Sequence, residues 1–100
     1  MLVEIQVLPT PLGTSDDRYR YVDAAIARIA ASGERHDVGA LGTTIEGDTN
    51  ALWALVRAAH DATLAAGATQ VVTVIKIAQG ADDASGLTID ALTARHRSGE

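Results

Sequence analysis

The chain has 100 residues and a formal charge of −5, from 8 Lys and Arg against 13 Asp and Glu. That length holds one domain with a single core of two packed layers. The acidic balance lacks the clustered cations of a nucleic-acid surface, and the absence of cysteine excludes disulfides, thiolate zinc sites and cysteine nucleophiles.

Apolar residues make up 47% of the chain, but only Tyr19, Tyr21 and Trp53 are aromatic, so the core must be built from Val, Ile, Leu and Ala. The start, Met1-Leu2-Val3-Glu4, has neither a basic segment nor a long apolar run, and no stretch approaches the ~20 apolar residues of a membrane span. The expectation is a soluble cytoplasmic protein that engages neither nucleic acid nor membrane.

Residues 2–8 alternate, with Val3, Ile5 and Val7 on one face and Glu4 and Gln6 on the other, which predicts a half-buried strand. Pro9, Pro11 and Gly13 then predict a loop. Ser15 or Asp16 is placed to cap a helix over about 16–32, with Val22, Ile26, Ile29 and Ala30 at helical spacing and Gly33 as its stop. Residues 35–39 read as a weak edge strand. A better strand covers 41–46, with Leu41, Thr43 and Ile45 on one face and Gly42, Thr44 and Glu46 on the other; Gly39-Ala40 is the tight connection between the two.

Gly47 and Asp48 open a second helix ending near Ala66, with Gly67 as its stop and an apolar side of Leu52, Trp53, Leu55, Val56, Ala59, Thr63 and Leu64. Residues 70–77 are β-branched almost throughout, as a central strand would be. Gln79 to Gly86 is small, acidic and loop-like, and a short tail helix is expected over about 88–97. Residues 1–79 thus form the domain, and 80–100 an acidic loop with a tail helix.

The order β-α-β-β-α-β is the ferredoxin-like split βαβ motif, an α+β sandwich with a four-stranded antiparallel sheet and two helices on one face. The other face would carry Leu2, Glu4, Gln6, Leu8, Thr44, Glu46, Val72, Val74 and Lys76. A monomer rarely exposes so many apolar residues together, so two sheets are expected to pack face to face in a homo-oligomer.

The residues able to carry chemistry are few. His60 shares a helix side with Trp53, Val56 and Leu64; it reads either as a boundary histidine satisfied by a backbone carbonyl or as a hydrogen-bonding group in a pocket between helix and sheet. Thr43 and Thr73 face the helices, where a hydroxyl needs a partner, either a local one or a small polar ligand. Glu46, beside Gly47, reads as a solvated acid, as a carboxylate facing a cationic ligand, or as a member of an interface pairing with Glu4 and Lys76. His36, His60 and His96 lack metal-ligand spacing, Asp82-Asp83 lacks the alternation of a calcium loop, and Ser15 and Ser85 have no nucleophile setting. Nothing in the pattern demands catalysis.

The stretch Gly42-Thr43-Thr44-Ile45-Glu46-Gly47-Asp48, a downstream helix with His60, Ala66-Gly67-Ala68 and the strand ending Thr73-Val74-Ile75-Lys76-Ile77 are similar, as a set, to the thiamine-binding protein family. Val7-Leu8-Pro9, Tyr21-Val22 and Ser32-Gly33 add to the resemblance, which runs from residue 2 to about 77. It implies a ferredoxin-like fold, assembly into dimers or tetramers through the sheets, and non-catalytic binding of thiamine or its hydroxymethylpyrimidine part for sequestration, delivery or sensing. Thiamine would then be ligand rather than cofactor. Carried onto this chain, the matching positions are Thr43, Thr44, Glu46 and His60, with Trp53 a possible aromatic face for the ring or cation. Threonine and histidine groups suit the ring nitrogens and the amine, and Glu46 would balance the thiazolium charge.

The chain departs from that pattern at Ala78-Gln79-Gly80, at Glu34 and His36, and in the loop 9–18 with its second proline. The alternative reading is an oligomerisation module without a ligand. A small cofactor-free isomerase or monooxygenase of the same fold class is a third.

Overall fold

The structure is a computed structural model and describes residues 1–82 and 86–97; Asp83 and Ser85 lie outside the described residues. Its elements are β1 (Leu2–Thr10), α1 (Arg20–Ala31), β2 (Arg35–Val38), β3 (Thr43–Glu46), α2 (Thr49–Ala66), β4 (Gln70–Ala78) and α3 (Ile89–Arg97). The four strands form one antiparallel sheet in the order β2-β3-β1-β4. This is the ferredoxin-like α+β arrangement expected from the alternation of periods.

The register sorts the side chains. Val3 opposes Ile45 and Ile77, and Ile5 opposes Thr43 and Ile75, so these residues share the face that receives α1 and α2. The core sits there: Val3, Ile5 and Ile45 meet Ala25 and Ile29 of α1 and Leu52, Leu55, Val56 and Ala59 of α2. α2 starts where expected, with the Asp48 carboxylate accepting the Ala51 N–H at 3.2 Å, and stops at Gly67, whose φ of 129° favours glycine. Gly33, at φ 79°, ends α1 in the same way.

Three expectations need correction. The run 70–77 is not a central strand: β4 is outermost and pairs with β1 alone, and Val72, Val74, Ile75 and Ile77 are exposed. A continuous apolar run reports burial on both faces, but it does not say whether a neighbouring strand or another molecule provides it. α1 begins at Arg20 rather than near 16, and its N-cap, Tyr19, makes no side-chain cap bond. Neither Ser15 nor Asp16 caps the helix; their neighbours Thr14 and Asp17 close the preceding loop instead. Thr14 Oγ1 accepts the Asp17 N–H at 3.0 Å, and the Asp17 carbonyl accepts the N–H groups of Thr14 and Arg20 at 2.8 and 3.2 Å. Trp53 and Leu64 belong to the exposed side of α2, because the helix turns Leu52, Leu55, Val56, Ala59 and Thr63 inward.

The second face of the sheet is only half bare. α3 lies over the β2–β3 side. Arg35 pairs with Asp90 at 2.9 Å, Arg97 pairs with Asp37 at 2.8 Å, and the Ile89 N–H is donated to Glu46 Oε1 at 2.8 Å. On the β1–β4 side Leu8, Val72 and Val74 remain exposed, and Lys76 pairs across the ladder with Glu4 at 3.3 Å.

Candidate functional site

β1 is nine residues long and β3 is four. β1 therefore pairs with β4 along its whole length, but with β3 only from Leu2 to Ile5. Backbone groups alternate along a strand, so each residue addresses one neighbour. The Met1 carbonyl accepts the Gly47 N–H, and the Ile5 carbonyl lies against Gly42, which places odd-numbered residues toward β3. The Thr10 carbonyl accepts the Thr69 N–H, which places even-numbered residues toward β4. Val7 is the next odd residue. Its N–H and C=O point where β3 has already ended, and the ladder supplies no partner on that side. Pro9 follows the same logic: its missing N–H falls on the unpaired flank and costs no ladder bond.

The gap left by β3 is a cleft of about 350 Å³ between β1, α1 and the β2–β3 turn. Four consecutive residues of β1, Ile5 to Leu8, line it, so the strand presents its backbone edge and not just one face. The floor is buried (Ile5, Ala25, Ile29 and Thr43), and the rim carries the exposed Leu12, Tyr19 and Leu41. Val22 and Ile26 of α1 form the wall opposite β1. This size and lining, mostly apolar with few polar groups, is that of a small-molecule site.

The loop 11–19 is built to hold its part of the rim. Besides the bonds around Asp17, the Leu12 carbonyl accepts the Tyr21 N–H at 3.1 Å, tying the loop to the first turn of α1. A Cβ on Gly13 would lie 2.3 Å from the Asp17 carbonyl oxygen and 2.5 Å from that of Arg18, so only glycine fits that crossing. Leu12 and Tyr19 are thereby set before any ligand arrives.

Of the residues singled out in the sequence, the structure brings Thr43 alone into this cleft, at 4% exposure. Thr44 lies on the other face of the sheet, opposite Glu4 and Asp37. Glu46 shares that face and holds the first N–H of α3. His60 is half-buried on α2, its Nδ1 in a 2.5 Å hydrogen bond with Thr73 Oγ1, so two of the predicted polar groups satisfy each other. Trp53 is 51% exposed on the outer side of α2. Sequence reasoning missed Val7 as a backbone group, and Leu12, Tyr19, Val22 and Ile26 as cleft residues. Pro9, expected to begin the loop, is instead part of β1, and a proline there is tolerated because it falls on the flank without a partner. Among the described residues no group of three or more His, Asp or Glu side chains is placed to hold a metal ion, and no helix is long and apolar enough to cross a membrane.

Comparison with known proteins decides the family. The family model for thiamine-binding proteins matches residues 3–95. The chain belongs to the thiamine-binding protein family. The match takes in α3, beyond the point near residue 77 where the resemblance in the residues fades. A UPF0045 protein of Methanothermobacter thermautotrophicus is 34% identical over 88 residues, covering 86% of this chain and 89% of its own. One from Clostridium perfringens is 30% identical over 96 residues, 95% of each chain. Among solved structures, a Bacillus cereus domain of unknown function, DUF77, aligns with a TM-score of 0.82 at 36% identity, covering 96% of this chain and 88% of its own. A candidate thiamine biosynthesis or salvage protein from Thermotoga maritima aligns with a TM-score of 0.79 at 25% identity, covering 96% and 97%. A tie to thiamine-related binding therefore belongs to the family, and the family description and the UPF0045 names indicate no catalytic activity.

Proposed function

We propose that the chain binds thiamine or its hydroxymethylpyrimidine part, without turning it over, in the cleft between α1 and the unpaired flank of β1. The observation that carries this is the Val7 backbone edge. An aminopyrimidine presents a ring-nitrogen acceptor beside an exocyclic amine donor. The N–H and C=O of a single extended residue are complementary to that pair, and an edge strand offers them without breaking a ladder bond. Thr43 contributes a hydroxyl from the floor, and Val22, Ile26 and Tyr19 enclose the ring. The lining consists of apolar side chains, the hydroxyls of Thr43 and Tyr19, the Gln6 carboxamide and backbone amides, with no Asp, Glu or His among the described residues that line it, which favours capture over acid–base chemistry. Reversible capture suits sequestration, delivery or sensing in the cytoplasm.

The test is titration of the protein with hydroxymethylpyrimidine and with thiamine, followed by amide nuclear magnetic resonance. Saturable binding that shifts the Val7 amide and is lost in Val22→Trp, which fills the cleft, is the expected result. Binding that leaves Val7 unmoved and survives Val22→Trp would place the ligand elsewhere and overturn this site.

We also infer that a second copy of the chain covers the exposed stripe Leu8, Val72 and Val74 on the β1–β4 half of the second face. The support is the continuous Val and Ile run of β4, the composition of a strand covered on both faces. Sedimentation should show a dimer or tetramer for the native chain and a monomer for Val74→Lys; a native monomer at high concentration refutes the contact.

A further inference from the structure

We propose that the cleft selects an aminopyrimidine carrying a phosphate ester over the cationic, thiazolium-bearing vitamin. This rests on the pyrimidine reading above and adds to it the charge of the ligand. Among the described residues no Asp or Glu lines the cleft, although the chain has 13 acidic residues. A thiazolium held against that lining would lose hydration without gaining a counter-ion. Glu46, the counter-ion the sequence offers, and Glu4, the carboxylate nearest Gly42, are both committed elsewhere. Glu46 holds the N-terminal N–H of α3 on the other face of the sheet, and Glu4, which approaches Gly42 from that same far side, is paired with Lys76 at 3.3 Å.

A positive charge stands beside the rim. The Arg18 guanidinium lies 6.0 Å from the centroid of the Tyr19 ring, and Tyr19 is part of the rim. Among the described residues Arg18 makes no ion pair, whereas Arg35, Arg57 and Arg97 each hold an aspartate. Arg18, like its chain neighbours Asp16 and Asp17, stands outside the lining itself, but its guanidinium is the one of the three placed against the ring of a rim residue, while the Asp17 backbone closes the loop. A ring seated against Val7 and Thr43 directs its substituent outward toward Leu12, Tyr19 and Arg18. A phosphate monoester there meets a guanidinium whose planar fork matches two of its oxygens. A thiazolium there meets a like charge.

The experiment is calorimetric titration of the whole chain with four probes: hydroxymethylpyrimidine, its phosphate monoester, thiamine and inorganic phosphate. The ester should bind about tenfold tighter than the alcohol, the gain expected of one charge-assisted contact. Thiamine should bind more weakly than the ester. In Arg18→Gln the ratio of ester to alcohol affinity should fall to about one, and in Arg18→Lys part of it should return because charge persists without the fork. Circular dichroism confirms that both variants fold. Equal affinity for ester and alcohol, thiamine as the tightest probe, inorganic phosphate matching the ester, or an undiminished ratio in Arg18→Gln each overturns the proposal. If the alcohol binds and the ester adds nothing, only the charge assignment falls. If no pyrimidine binds at all, the pyrimidine reading falls as well.

Discussion

The two flanks of β1 are made of the same residues and serve opposite ends. Toward β4 the ladder runs unbroken through nine residue pairs, from Leu2 opposite Ala78 to Thr10 opposite Gln70. Toward β3 it stops after four pairs, and the backbone beyond Ile5 faces a cleft. One flank satisfies its polar groups internally and holds the sheet together; the other leaves a donor and an acceptor for something else to satisfy. A binding edge therefore needs no special side chain. It needs one strand longer than its neighbour.

Substitutions that tell the flanks apart test this directly. Leu8→Pro removes an N–H directed at β4. It should cost about 2–4 kcal/mol of stability, from the lost ladder bond and the carbonyl on β4 left without its donor, read as a lowered denaturation midpoint. Gly13→Ala forces a methyl group against the Asp17 carbonyl and should cost about 1–3 kcal/mol, the range for overpacking, while displacing Leu12 and Tyr19 from the rim. Calorimetry should find that its ligand affinity falls along with its melting temperature. Val7→Pro removes the N–H that faces the cleft. Its stability cost should stay below that of Leu8→Pro, at about 1–2 kcal/mol on the scale of ordinary point substitutions, but pyrimidine binding should disappear. If Val7→Pro unfolds the protein as badly as Leu8→Pro, the flank is paired and the comparison is broken. The smallest effect belongs to α3. Arg35 and Asp90 form an exposed pair, so Arg35→Ala should cost no more than about 1 kcal/mol, and hydrogen exchange should show α3 opening more readily with the cleft unchanged.

Much of the fold was legible in the residues. Alternation at Val3, Ile5 and Val7, the 3.6-residue spacing that buries Leu52, Leu55, Val56 and Ala59, Asp48 as a cap, and Gly33 and Gly67 as stops are local signals, and each describes a few consecutive residues. The candidate site was far less legible. Thr43 was found because a hydroxyl on an inward face stands out. Glu46 and His60 stood out equally well, yet each is already bonded to a group on another element, Glu46 to Ile89 of α3 and His60 to Thr73 of β4. Ser15 and Asp16 looked like a helix cap because both residue types cap helices, but the loop around Asp17 took over the local hydrogen bonding and the helix began four residues later.

By itself the sequence determined which segments become strands and helices, which faces they bury, and the family likeness that led to thiamine. These depend on residue type and spacing over a few turns of chain. The tertiary structure alone decided that β4 is an edge, that α3 covers half of the second face, and that Val7, among the described residues, has no ladder partner on its β3 side. Those outcomes depend on which strands become neighbours and where each one ends. A backbone N–H or C=O is identical in every residue, so only its surroundings reveal whether it is free to bind.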